Sequence, residues 1–156
     1  MDYERILVNF DPAMSRRVVG QEWVLAQEKT PVLSGPTSRV LIQLTDDPAP
    51  LLEKYQFNNS TWTRLQVARC GPELTNSTCM KVDHVSRQVF VGTRGGLVQG
   101  YFASTFAPAT RVMTLSAYAV NNIDVHHHGR DTYLIVAFAS GQVSLYKSVN
   151  PYYTVT

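Results

Sequence analysis

The chain carries no long hydrophobic run. Its longest apolar stretch, Tyr133 to Ala139, has seven residues, against the roughly 18 that a membrane-spanning helix needs. A membrane partner is therefore not expected. Cysteine is scarce: Cys70 and Cys79 are the only two in 156 residues, too few for a disulfide framework, so buried free thiols are expected. Charge is sparse and balanced, with 14 basic and 12 acidic side chains and no block of like sign, which excludes a polybasic nucleic-acid arm or an acidic tail. Met1-Asp2-Tyr3-Glu4 carries two acids where a secretory leader carries positive charge ahead of an apolar segment. The expected setting is a soluble intracellular one, nuclear or cytoplasmic. Nucleotide and nucleophile signatures are missing too. Gly95-Gly96 has neither the spacing nor the following Lys of a phosphate loop, and Ser140 and Ser144 sit in no Gly-x-Ser-x-Gly elbow. No catalytic residue, cofactor or resident metal is assigned, and the chain is expected not to be an enzyme.

Helical periodicity is sustained nowhere. β-Branched and aromatic residues fall instead into short bursts separated by Gly, Pro, Asn and Asp, which predicts an all-β protein. Strands are predicted over 5–10, 22–26, 39–45, 51–57, 61–67, 89–93, 97–102, 111–115, 133–138 and 143–147. Pro50 to Tyr55 is the one helical rival, because Pro can open a turn of helix.

A repeat underlies these bursts. Val89 to Tyr101 aligns with Leu134 to Tyr146 at an offset of 45 residues, matching Val91 with Val136, Gly96 with Gly141 and Val98 with Val143. Upstream, Val82-Asp83 matches Ile123-Asp124 at an offset of 41, and a fainter copy runs from Arg39 to Val67. The unit is four short strands in about 45 residues, the content of a propeller blade, whose sheet must stack on neighbours to bury its faces. The expected architecture is a partial β-propeller of about three four-stranded antiparallel blades at 22–67, 79–115 and 121–156. From Lys81 to Thr156 only 9 of 76 residues are charged, which predicts that both faces of these sheets are covered. Closed propellers hold four to eight blades. Further blades are therefore expected from the same gene product or from a partner chain.

The second copy resembles a WD40 repeat. Asn122-Ile123-Asp124-Val125-His126-His127-His128-Gly129 is similar to the innermost strand and following turn of that family, Ser140-Gly141 to its tight turn, and Gln142 to Tyr146 to its third strand. Tyr101-Phe102 and Tyr146-Lys147 stand where the family closes its third strand with Trp-Asp. The resemblance implies a non-catalytic scaffold that binds other protein subunits. It places partner-binding residues just before the inner strand and at the turn between the second and third strands, here Tyr118, Asn121 and Arg94. Tyr and Arg are common hot-spot types. Val120 to Val125 also resembles a stretch in the small propeller subunits of the nuclear-pore scaffold. A second hypothesis is an extracellular or luminal ligand-recognition fragment, with Asn58, Asn59 and Asn76 glycosylated and Cys70 bonded to Cys79.

Other residues invite chemistry and are assigned to structure. His126-His127-His128 attracts a metal reading, but adjacent residues of an extended segment point to opposite faces, and the run is expected in a solvated turn between the first two strands of a blade. Asp83 and Asp124, at equivalent repeat positions, are expected as turn-stabilising acceptors, and Asp46-Asp47 as a turn. Tyr101, Phe102, Phe106, Tyr118, Tyr146, Tyr152 and Tyr153 could form a stacking surface for single-stranded nucleic acid. With charge near neutral they are read as packing residues, and a nucleic-acid partner is not expected.

Overall fold

The computed structural model describes residues 18–24, 39–46, 49–58, 61–149 and 152–153. Among these residues the regular structure is strand apart from one 3₁₀ turn, Pro72–Leu74. The strands are β1 (Val18–Val24), β2 (Arg39–Asp46), β3 (Pro50–Asn58), β4 (Thr61–Arg69), β5 (Ser77–Asp83), β6 (Gln88–Thr93), β7 (Leu97–Phe102), β8 (Met113–Thr114), β9 (Val120–His128), β10 (Asp131–Phe138), β11 (Val143–Val149) and β12 (Tyr152–Tyr153). They form three antiparallel sheets, each of four strands joined in chain order. Among the described residues the sheets do not close into a barrel. This is the all-β, three-sheet arrangement the repeat predicts.

Pleating explains how the sheets stack. Side chains alternate between faces along a strand, and in β6 the alternation splits two hydrophobic clusters. Val89 and Val91 join Ile42, Leu44, Leu52 and Tyr101 in a core between the first and middle sheets. Phe90 joins Leu134, Val136, Phe138 and Tyr146 in a core between the middle and third sheets. All six residues of β6 are buried. A strand buried on both sides reads in sequence as a continuous apolar run rather than an alternation, which is the form of Val89-Phe90-Val91. Close approach is built in at Gly92, where a Cβ would lie 2.8 Å from both Cys79 Sγ and a Val120 methyl.

Polar contacts tie the sheets along their first strands. Glu22 of β1 accepts from the Val82 amide at 3.0 Å and meets His84 at 3.2 Å. Lys54 of β3 donates to the Ser104 carbonyl at 3.3 Å, and Gln66 of β4 to that of Thr105 at 2.6 Å. These bonds fasten the long β7–β8 connection to the first sheet, where Lys54 also lies over the Phe106 ring.

The strand predicted over 51–57 is present as Pro50–Asn58, antiparallel pairing with β2 and β4 over its whole length outweighing the helical rival. Other expectations need correction. β5 was not anticipated as a seven-residue strand, since Thr78, Lys81 and Asp83 break its apolar pattern. Both faces are covered for the middle sheet, but the third sheet leaves Val143 and Leu145 63% and 60% exposed. The strand expected over 5–10, residues 25 and 26 of the second predicted strand, and Asp47 lie outside the described residues. No helix among the described residues is long and apolar enough to cross a membrane.

Phe90 is fully buried between two sheets, so Phe90→Ala is expected to cost about 3–5 kcal/mol in urea unfolding. Val85→Ala, at a 73% exposed site, should stay within about 0.5 kcal/mol.

Candidate functional site

The strand registers gather one set of connections at a single end of the stack. β2 and β3 meet at Asp46 and Pro50, β5 opens opposite Thr93, β7 opens opposite the end of β8, and β9 opens opposite Phe138. The β2–β3, β4–β5, β6–β7, β8–β9 and β10–β11 connections therefore share this end. Backbone hydrogen bonds stitch them together. Arg94 donates to the Asn76 carbonyl at 2.8 Å, Leu115 to that of Gly96 at 3.0 Å, and Ala139 to that of Ala119 at 2.8 Å.

Arg94, Tyr118 and Asn121 all lie at this end, and all are exposed. Arg94 opens the β6–β7 turn, which is closed by Gly96 N–H to the Thr93 carbonyl at 3.2 Å and by Leu97 N–H to Thr93 Oγ1 at 3.1 Å. Gly96 has φ +81°, and a Cβ there would lie 2.0 Å from the Ser116 carbonyl oxygen and 2.9 Å from that of Tyr118. Only a glycine lets this turn seat against the β8–β9 connection. On the other side of the contact, Ser116 Oγ accepts from the Tyr118 amide at 3.0 Å. Tyr118 is 56% exposed on a segment fixed by these bonds. The backbone thus brings Arg94 and Tyr118 onto one docked pair of loops, with Asn121 following at the start of β9. A guanidinium and a phenol so displayed offer planar donors and an amphipathic ring, the chemistry of protein recognition.

The opposite end holds a second polar constellation, and here the histidine expectation is corrected. His126, His127 and His128 lie in β9, not in a turn; the turn is the pair Gly129-Arg130, with Gly129 at φ +62°. Extended geometry sends His126 and His128 to one face, their rings stacked at 6.5 Å, and His127 to the other. His127 Nε2 reaches across to the middle sheet and lies 2.8 and 3.0 Å from the two Asp83 carboxylate oxygens. Thr132, opposite His127 in the register, places its hydroxyl 3.0 Å from Nδ1. With Nε2–H directed at the carboxylate, Nδ1 is the acceptor and the Thr132 hydroxyl donates. Asp83 also accepts from the Val85 and Ser86 amides at 3.2 and 3.3 Å and from the Ser86 hydroxyl. It caps the β5–β6 turn as expected and bridges two sheets as well. No group of three or more His, Cys, Asp or Glu among the described residues is arranged to hold a metal.

The equivalence of Asp83 and Asp124 is also corrected. Gln88 and Tyr133 hold the same place at the 45-residue offset, and they pair with Asp83 and His126. Asp124 pairs instead with Ile135, one pleat along, and its Oδ1 accepts from the Val125 amide at 2.9 Å. A two-residue slip keeps every side chain on its face, which is why sequence matching tolerated it. The His127–Asp83 bridge was legible only as parity: one imidazole of three had to face the middle sheet.

Neither cysteine forms a disulfide among the described residues. Cys70 belongs to the core between the first and middle sheets, while Cys79 packs on the core beyond the middle sheet. Burial pushes the Cys79 thiol up to about 11, against smaller opposing effects of hydrogen bonds with Thr78 and Gly92. Burial, together with Cys70 and Glu73, likewise raises the Tyr101 phenol. Comparison of the sequence with protein-family models and with curated proteins finds no match.

Two outcomes are expected. His127→Ala should cost about 1–2 kcal/mol and Asp83→Ala about 2–3, the latter also stranding the Val85 and Ser86 amides. A double-mutant cycle should return a coupling of at least about 0.5 kcal/mol. The raised Cys79 pKa lowers its thiolate fraction at pH 8 about 100-fold relative to an ordinary thiol. Iodoacetamide should therefore label native Cys79 slowly and faster as pH approaches 11, with two equivalents taken up in denaturant. A Cys70–Cys79 crosslink in non-reducing peptide maps would contradict this arrangement.

Proposed function

We propose that the chain is a non-catalytic protein–protein interaction scaffold, a WD40-like β-propeller segment of a multi-protein assembly that binds partner subunits through its loop end. The observation that carries this reading is the seating of the Arg94–Gly96 turn on Ser116–Tyr118, which holds an exposed Arg and an exposed Tyr on fixed loops. Prepaid loop ordering lowers the entropy cost of binding. The three stacked four-stranded meanders support the propeller assignment, since β5 lies against both β1 and β9, as successive inner strands of blades do. An intracellular setting, nuclear or cytoplasmic, accords with two free thiols held in different cores. The same separation speaks against the disulfide-linked extracellular alternative. A place in the nuclear-pore scaffold is the narrower form of the proposal and rests on Val120 to Val125 alone.

Affinity purification of the tagged chain from cells, quantified by mass spectrometry, tests the proposal. Specific proteins should co-purify, and the double substitution Arg94→Ala with Tyr118→Ala should lower their recovery about 30-fold or more. A wild-type chain that retains no protein above the tag control, or recovery indifferent to both substitutions, would sink the loop-end reading.

A further inference from the structure

The three sheets differ in how their faces are covered. The facing sides of the first and middle sheets share one core, and those of the middle and third sheets share another. On the outer side of the first sheet Leu41, Glu53 and Tyr55 are buried, at 1%, 5% and 6% exposure, while Val67 of β4, paired with Glu53, is 41% exposed. The outer side of the third sheet is open. Val143 holds the place of Val98 at the repeat offset, yet Val98 is 0% exposed and Val143 63%.

This open side has a defined pattern. Its centre is apolar: Tyr133, Ile135 and Ala137 on β10 stand beside Lys147, Leu145 and Val143 on β11. One flank, along β9, carries the Asp124 carboxylate beside Ile135 and the His126 imidazole beside Tyr133. The other flank, along β11, carries the Lys147 ammonium, which makes a 3.5 Å contact to Asp131 between half-exposed side chains. Such a pair is screened by solvent and is readily exchanged.

We propose that this face binds the same face of a second copy of the chain. A half-turn about an axis along the strands lays β9 of each copy over β11 of the other. Apolar strip then covers apolar strip, and each Asp124 comes within the reach of the other copy's Lys147, one pleat along. The patch is self-complementary in shape and sign, the requirement of a two-fold interface. A two-fold contact uses the same face on both copies and leaves neither with a second half to offer. Association stops at a pair and does not propagate into a filament. The surface is separate from the loop end, so dimerisation leaves Arg94, Tyr118 and Asn121 free for other subunits and presents them twice.

Sedimentation equilibrium of the full chain from about 1 to about 100 µM tests this, a range in which moderate interfaces resolve. A monomer–dimer equilibrium is expected. Leu145→Glu, at a 60% exposed site where the fold has no need of leucine, should weaken dimerisation about 30-fold or more, with an unchanged circular dichroism spectrum. Asp124→Lys should weaken it, and adding Lys147→Asp should restore it. Tyr118→Ala should leave it unchanged. A chain still monomeric at the highest concentration, or a dimer insensitive to Leu145→Glu, overturns the proposal. A monomer whose loop-end partners still co-purify overturns the dimer and leaves the scaffold reading standing, whereas a dimer that retains no other protein does the reverse.

Discussion

Burial of the middle sheet on both sides is the condition on which the rest of the structure depends. A sheet that is apolar on both faces must pack against a neighbour on each side, and β6 cannot satisfy its apolar side chains with one neighbour. Val89 and Val91 need the first sheet, and Phe90 needs the third. Each outer sheet is in turn held through the middle one, along β5, which lies against both β1 and β9. The connections follow from this stacking. Links between sheets are short, which places the end of one sheet's last strand near the start of the next sheet's first, and the loops of the candidate site collect at that end.

The strand pattern was largely legible in the sequence because β-branched and aromatic bursts are bounded by turn residues. β7 matches its predicted span, and β6, β10 and β11 differ by a residue or two at their ends. β5 was obscured by charge: Lys81 and Asp83 interrupt its apolar pattern, and Asp83 finds its partners outside the strand, in Val85, Ser86 and His127. The His126–His128 run was misplaced because a familiar turn motif was followed in preference to pairing. β9 and β10 continue their ladder to His128 and Asp131, past the point where the motif would turn. The repeat offset survived a two-residue error because faces alternate with period two.

The placement of the candidate residues was legible in part. Arg94, Tyr118 and Asn121 came from the family resemblance, and the structure sets all three at one end. What sequence reasoning could not supply is the contact between Gly96 and the carbonyls of Ser116 and Tyr118. Gly95-Gly96 is adequately explained as a hairpin turn by its own sequence. The second reason for glycine, room for a foreign backbone, exists only in three dimensions.

The two polar bridges between sheets share a direction. Glu22 of the first sheet meets His84 of the middle one, and Asp83 of the middle sheet meets His127 of the third. In each, the earlier sheet contributes the carboxylate and the later one the imidazole. An acid in place of either imidazole would set two carboxylates against each other at that junction. The stack therefore carries a head and a tail written in charge, and the chain folds with a sense of succession that hydrophobic packing, indifferent to polarity, does not impose.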